Sequence, residues 1–411
     1  MNTTRVAEGI FRITAHVDTD ILFEGLWPLP HGVTLNSFLV RGNESALIDG
    51  VCDWDGVPET LYAQLAQMEV ELRDIRYAVL NHLEPDHTGW LSSLRALHGD
   101  FEIVTTKKGE ELVRAFYGLD IPVRTVKSGD SIDLGGGKRL LFTEIPNVHW
   151  PETMATYEES TGTLFPCDAF GSFGGDGSIP YDDEMDEKEL DFYREETLRY
   201  YANIVARFSD SVLRAIDKLG GVDVRIVAPA HGIVWRRDPG RIIDLYRRYA
   251  EYAKGTAEPV ITVIWGSMYG NTERAVTSLL EGIESADVEA RVFRVPETHE
   301  SYVLASAWES TGIVLGMPTY EYHMFPPMAA VLEDLGRKGV VNREAFRFGS
   351  YGWSGGAQKE LDEIMNRLKM KWNFIEPLEF RGAPTEKDLA VLRERGRDLA
   401  LRVKKRCGLA K

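Results

Sequence analysis

The sequence predicts an α/β protein of two domains, and three observations carry that prediction. The chain has 411 residues, more than one hydrophobic core usually supports. Short apolar runs alternate with stretches of helical periodicity along most of it. Near residue 250 the pattern changes, with Glu251 to Glu258 reading as a linker before the regular strand and helix rhythm of a parallel sheet. The expected domains are therefore 1–255 and 256–411.

In the first domain, Ala46 to Gly50 and Tyr77 to Leu80 are apolar runs that end at polar or glycine residues. Between them, Pro58 to Glu71 repeats Leu61, Leu65 and Met68 at helical spacing, so the three segments read strand, helix, strand. Arg139 to Glu144 follows the turn Gly135-Gly136-Gly137 and reads as a strand, as do Gly162 to Cys167 and Val224 to Ala228. Tyr181 to Lys188 reads as a solvated acidic loop leading into a long helical region, Glu189 to Leu219. In the second domain Val260 to Trp265, Ala290 to Val295, Gly312 to Leu315, Glu344 to Ser350 and Trp372 to Phe380 predict a doubly wound parallel sheet of five strands.

Charge and composition exclude some functions. Lys+Arg number 47 against 64 Asp+Glu, a net charge of −17, which argues against nucleic acid or an anionic membrane as partner. Met1 to Val17 has no basic start or unbroken apolar run, and no stretch of about 20 apolar residues occurs, so neither secretion nor a membrane span is expected. Cys52, Cys167 and Cys407 are far apart and form no Cys-x-x-Cys. A reducing cytoplasm fits that usage best.

Directly after the Tyr77 to Leu80 run comes Asn81-His82-Leu83-Glu84-Pro85-Asp86-His87, four potential metal ligands in six residues at a strand end. His149, Asp168 and His231 each follow or end a later apolar run, so successive loops of one scaffold would deliver them. Pro85 disfavours helix at Glu84 and predicts a turn in which alternate side chains face one site. Four histidines and three carboxylates are too many for one ion, and Asp168 could serve both of a pair. Histidine and carboxylate without thiolate suit iron or manganese, with zinc left open by ligand type. His16, His31, His98, His299 and His323 lack such company and read as ordinary side chains.

In the second domain the first strand runs into Gly266-Ser267-Met268-Tyr269-Gly270-Asn271-Thr272-Glu273 and then the helical Arg274 to Ile283. A loop of glycine and hydroxyl residues before a helix presents backbone N–H groups and hydroxyls to a phosphate. It lacks the Lys-Ser/Thr ending of a nucleoside-triphosphate loop, and it resembles the flavodoxin loop that takes the single phosphate of FMN. Two later strand ends match, at Gly316 to Glu321 and Ser350 to Ala357, where ring-stacking aromatics and close-approach glycines meet the ligand edge of such a sheet.

The ordered pair of motifs resembles the flavodiiron proteins over nearly the whole chain. That resemblance implies a metallo-β-lactamase-like αβ/βα sandwich, then a flavodoxin-like domain. The hydrolases of the first fold usually carry a second histidine where this chain has Glu84, and a carboxylate there makes a harder, more anionic site suited to redox work. Carried over by position, His82, Glu84 and His149 would hold one non-haem iron and Asp86, His87 and His231 the other, with Asp168 bridging. Some relatives lack a ligating histidine at the position of His87. FMN would lie against Ser267, Met268, Tyr269, Gly270, Asn271 and Thr272, then Pro318, Thr319, Tyr320 and Glu321, then Ser350, Tyr351, Gly352, Trp353, Gly355, Gly356 and Ala357.

The resemblance also implies that Tyr200 or Tyr201 donates a hydrogen bond to bound substrate. It implies reduction of dioxygen to water, of nitric oxide to nitrous oxide, or both. Electrons would come from a separate rubredoxin or a reduced deazaflavin coenzyme. The expected assembly is a head-to-tail homodimer, alone or as a dimer of dimers, with Trp353 beside the flavin at the partner's diiron pocket. The rival readings are a thioesterase or lactonase fused to a flavodoxin module, and an electron-transfer or gas-sensing protein without turnover.

Overall fold

The structure is a computed structural model that describes residues 4–17, 19–51, 59–91, 101–118, 121–175 and 178–409. Cys52, Pro58 and His98 lie outside the described residues. Two compact units are present, Met1–Arg247 and Arg248–Lys411.

The first unit is built on two sheets. In one, the strands run in the order Thr4–Ala7, Ile10–Val17, Val33–Arg41, Ser45–Ile48, Ile75–Val79, Glu102–Thr105 and Val123–Thr125. Its first four strands pair antiparallel and its last four parallel, so the sheet changes character at Ser45–Ile48. The other holds Ser131–Gly135, Lys138–Glu144, Met154–Glu158, Thr163–Phe165 and Ile226–Val227. One buried cluster takes Phe38, Val40, Ile48 and Val79 from the first sheet and Leu134, Leu140, Phe142 and Phe165 from the second, so the two sheets share a core between them. This is the expected sandwich. Glu59–Gln67 forms the helix read between the early strands, burying Leu61 and Leu65.

The long helical region begins as expected and then departs. Asp186 caps Glu187–Tyr200, accepting from the Glu189 amide while the Glu189 side chain returns the bond. The α-helix then loosens into a π-turn, Tyr201–Val205, and a short 3-10 turn before resuming at Ser209–Leu219. The Asn203 side-chain amide donates to the Arg199 carbonyl at 2.7 Å, satisfying a backbone acceptor within the disturbed turn. The acidic stretch ahead of this region is less solvated than expected. Asp182 is buried and accepts the backbone N–H groups of Arg236, Arg237 and Asp238 at 2.8–3.2 Å.

In the second unit one parallel sheet is ordered Glu289–Arg294, Glu258–Trp265, Ser310–Gly316, Glu344–Tyr351, with Asn373–Phe374 and Leu378–Arg381 both pairing to the last of these. In sequence terms that is the 2-1-3-4-5 winding of a flavodoxin-like fold. The stretch Trp372 to Phe380, expected as one strand, is split because Pro377 has no N–H to give the ladder and restrains Glu376 before it. Ser310–Gly316 is buried throughout, as a central parallel strand must be.

The stretch read as a linker is folded. Tyr252–Lys254 makes a 3-10 turn closed by Gly255 at φ 102°, a left-handed conformation that suits glycine. Trp308 Nε1 donates to the Tyr249 carbonyl at 3.0 Å, and the buried Arg343 donates to the Tyr252 carbonyl at 3.1 Å. No helix among the described residues is long and apolar enough to cross a membrane.

Candidate metal centre and flavin cradle

Every residue of the expected metal set sits on a loop that follows a strand of the first unit. Asn81, at the end of Ile75–Val79, is pinned through its backbone N–H to Asp49 Oδ1 at 2.7 Å, while Thr156 donates to its side-chain oxygen at 2.7 Å. His82 comes next. Glu84 is extended, at φ −62° and ψ 142°, as the following proline requires. Pro85 then opens one helical turn, Pro85–Thr88, because its fixed φ suits the first helical position. The turn carries Asp86 and His87. His149 comes from the loop between Lys138–Glu144 and Met154–Glu158, and Asp168 follows Thr163–Phe165. His231 lies where Leu35 bridges the segment after Ile226–Val227.

The seven side chains converge, and Asp168 stands at the middle. Its Oδ2 is 3.2 Å from His82 Nε2 and 3.4 Å from His149 Nε2. Its Oδ1 is 3.1 Å from His87 Nε2 and 3.0 Å from His231 Nε2. Glu84 Oε2 lies 3.3 Å from His82 and 3.0 Å from His149, on the first side. Asp86 lies 3.5 Å from His87 and 3.4 Å from His231, on the second. His82, Glu84, His149 and Asp168 thus form one group whose donor atoms all lie within 4.8 Å of one another, and Asp86, His87 and His231 form another.

The electrostatics are those of a buried site that wants a cation. Burial alone would lower the histidines, yet the carboxylates override it and raise His82 and His231 to about 10 and His87 and His149 to about 9. Burial would raise the carboxylates, but the imidazoles hold Glu84 down at about 2 and Asp168 well below the usual range. Asp168 Oδ2 and His231 Nε2 are buried without a well-formed hydrogen bond. Nitrogen and anionic oxygen donors aimed at shared points, with these atoms unsatisfied by protein, fit a pair of divalent cations.

The structure separates the two tyrosines. Tyr200 donates to Asp168 Oδ1 at 3.1 Å. Tyr201 is turned away, its hydroxyl 2.8 Å from Ser209 Oγ and its ring against Tyr246, since neighbours in a helix point in different directions. A residue that the sequence reading missed, Glu152, meets His82 Nδ1 at 2.7 Å. No local spacing could reveal it, for 70 residues separate the two. Cys167, beside Asp168, is buried, and burial pushes its thiol well up.

In the second unit the three expected loops lie at the carboxyl ends of neighbouring parallel strands of one sheet. Ser267 Oγ accepts the Gly270 N–H at 2.9 Å, closing the first loop under the start of the helix Asn271–Glu284. Thr272 and Thr319 bury hydroxyls that have no partner among the described residues. Pro318 leads into Thr319–Tyr320, which pairs with His323–Met324, and Glu321 turns at φ 46° between them. Ser350 and Tyr351 end their strand, and Gly352 to Gly356 lead into the helix Ala357–Arg367. A Cβ on Gly356 would stand 1.8 Å from the Tyr322 carbonyl, so the second and third loops meet backbone to backbone. Tyr269 and Trp353 are 90% and 74% exposed, leaving ring surface free for stacking, while Met268 is partly exposed. Gln358, also missed by the sequence reading, buries both amide atoms without a partner among the described residues. A helix N-terminus for phosphate, unsatisfied hydroxyls and open aromatic faces fit FMN.

Fold and site together define a flavoprotein that carries a paired histidine and carboxylate metal cluster on a β-lactamase-like sandwich. Residues 33–232 match the model of the ODP family beta lactamase, and residues 263–395 match the flavodoxin model. The chain is 32% identical to a nitric oxide reductase of Moorella thermoacetica, over 97% of this chain and 98% of that one. The flavodiiron protein from Giardia intestinalis superposes with a TM-score of 0.91 at 26% identity, covering 100% of this chain and 99% of the other. The rubredoxin oxygen:oxidoreductase of Desulfovibrio gigas gives 0.90 at 25% identity, over 99% and 100%. The chain belongs to the flavodiiron family. Its cofactors are FMN and a non-haem diiron pair.

Proposed function

We propose that this protein reduces nitric oxide to nitrous oxide and dioxygen to water at the Asp168 cluster, with electrons delivered through FMN. The observation that carries the reading is the division of Asp168, one oxygen to His82 and His149 and the other to His87 and His231. In this reading His82, Glu84 and His149 hold one iron, Asp86, His87 and His231 the other, and Asp168 both. Two ferrous ions and a reduced FMN supply four electrons, with the positive charge that stabilises a reduced diatomic molecule.

The chain's own residues supply the surroundings. His82, His87, Asp168 and His231 are at most 1% exposed, while the side chain of Glu84, at 17%, forms the open edge of the cluster. Burial and the neighbouring carboxylates push the Tyr200 hydroxyl well up, so it keeps its proton and can donate at the Asp168 edge. The loops at Ser267–Thr272, Pro318–Glu321 and Ser350–Ala357 hold FMN, with Trp353 beside its ring. The names of the Moorella and Desulfovibrio relatives support the two substrates and a rubredoxin as donor, with a reduced deazaflavin coenzyme as the other candidate.

The proposed assembly is a head-to-tail homodimer in the cytoplasm, bringing the flavin of one subunit to the cluster of the other. Metal and flavin analysis of the purified protein, followed by nitric oxide and dioxygen consumption with a chemically reduced donor, tests the proposal. Two irons and one FMN per chain with rapid gas uptake are expected. Zinc with ester hydrolysis and no gas uptake would overturn it.

A further inference from the structure

The histidines of the cluster differ in what stands behind them. Each turns Nε2 inward, so the outer nitrogen, Nδ1, is left for the protein to hold. His82 Nδ1 lies 2.7 Å from Oε1 of Glu152, a carboxylate buried to 1% exposure that also accepts the Leu83 N–H at 3.0 Å. His231 Nδ1 faces only the Thr34 backbone carbonyl, at 3.2 Å. His87 Nδ1 is buried with no hydrogen-bond partner among the described residues. A carboxylate is therefore hydrogen-bonded to the outer nitrogen of His82 on the first side, whereas among the described residues none is bonded to an outer nitrogen of the second side, where the buried Asp49 acts on His87 through space alone.

Glu152 also sits three residues beyond His149 on the same loop, and Thr106 Oγ1 anchors that loop by donating to the Glu152 carbonyl at 2.9 Å. One loop thus brings a ligand to the first side and a brace to another ligand of that side. A carboxylate behind an imidazole holds the hydrogen on Nδ1, presents the bare Nε2 and strengthens it as a donor, whereas a neutral carbonyl does so less and an empty position not at all.

We propose that Glu152 is a positioning residue that makes the two metal positions unequal, so that the one formed by His82, Glu84 and His149 binds more tightly and fills first. The inference rests on the ligand sets of the proposed function and adds their order of affinity. The test is a titration of metal-free, FMN-loaded protein with Co(II) alone, read by the visible absorption of the bound ion.

Wild-type protein should take up two equivalents in two steps. Glu152→Gln keeps the shape and an acceptor oxygen while removing the charge. It should weaken the first step by about 10- to 100-fold and leave the second within about threefold, with FMN retained. An unchanged first step, or equal weakening of both, overturns the proposal while wild-type uptake of two equivalents keeps the ligand reading. Wild-type uptake of fewer than two overturns both. A second comparison needs no change at Glu152: His87→Asn should retain the tight step and His82→Asn should lose it, and the reverse pattern overturns the proposal.

Discussion

Replacing Asp168 by asparagine should empty the cluster while leaving the flavin in place. The two oxygens of Asp168 lie 3.0–3.4 Å from four imidazole nitrogens and accept the Tyr200 hydroxyl at 3.1 Å. Asparagine preserves the outline but removes the charge and turns one oxygen into an N–H₂ group pointed at one pair of histidines. A bond to a charged partner is worth about 1.5–3 kcal/mol net. Losing one on each side amounts to about 3–6 kcal/mol, and at 1.4 kcal/mol per tenfold that is about 10²- to 10⁴-fold in metal affinity. The assay is equilibrium dialysis against buffered ferrous iron, with iron per chain and flavin absorbance read on the same sample. Full iron occupancy with wild-type gas reduction in Asp168→Asn would refute the bridging role.

Three further outcomes are expected. In the metal-free protein the raised histidines, at about 9 to 10, stabilise the fold below their unfolded value of about 6.5, and that contribution is lost as pH rises through 9 to 10. The melting temperature of metal-free protein should therefore fall over that window more than that of the loaded protein; parallel curves would contradict it. A fragment of residues 248–411 should fold and bind FMN without metal, and one starting at 256 should melt lower, because it strips Arg343 and Trp308 of carbonyl acceptors at Tyr252 and Tyr249; calorimetry of the two decides. Mixing a metal-deficient double variant, Asp86→Ala with His231→Ala, and a flavin-deficient one, Ser267→Asp with Asn271→Asp, should restore gas reduction in heterodimers. Demonstrated subunit exchange without recovery would count against the head-to-tail pairing.

The metal cluster was legible because its first four members crowd into Asn81–His87 and the other three each close an apolar run. Local order is enough for such a signal. Glu152 escaped because its role depends on where a distant loop brings its side chain, which no periodicity encodes. Gln358 lies just beyond the third flavin loop, and only the burial of its amide marks it out. The break in the last strand was written in Pro377 and passed over in favour of the apolar run around it. Glu251 to Glu258 looks like a linker from its small and charged residues, yet the buried Arg343 uses its backbone carbonyl at Tyr252. The identities that mark a loop do not say whether its backbone is needed elsewhere.

The π-turn at Tyr201–Val205 has a consequence for comparing this chain with its relatives. A π-turn accommodates one residue more than the α-helix around it, and the 3-10 turn Ala206–Phe208 follows, so Ser209 onward does not continue the phase of Glu187–Tyr200. That offset lets one run of chain aim Tyr200 at the metal cluster and still lay Val212, Ala215, Ile216 and Leu219 on a buried face. Removing a single residue between 201 and 205 would change that phase and force a choice between the two. An alignment that carries a helical register through this point would equate residues that face different ways, so each half has to be matched from its own end.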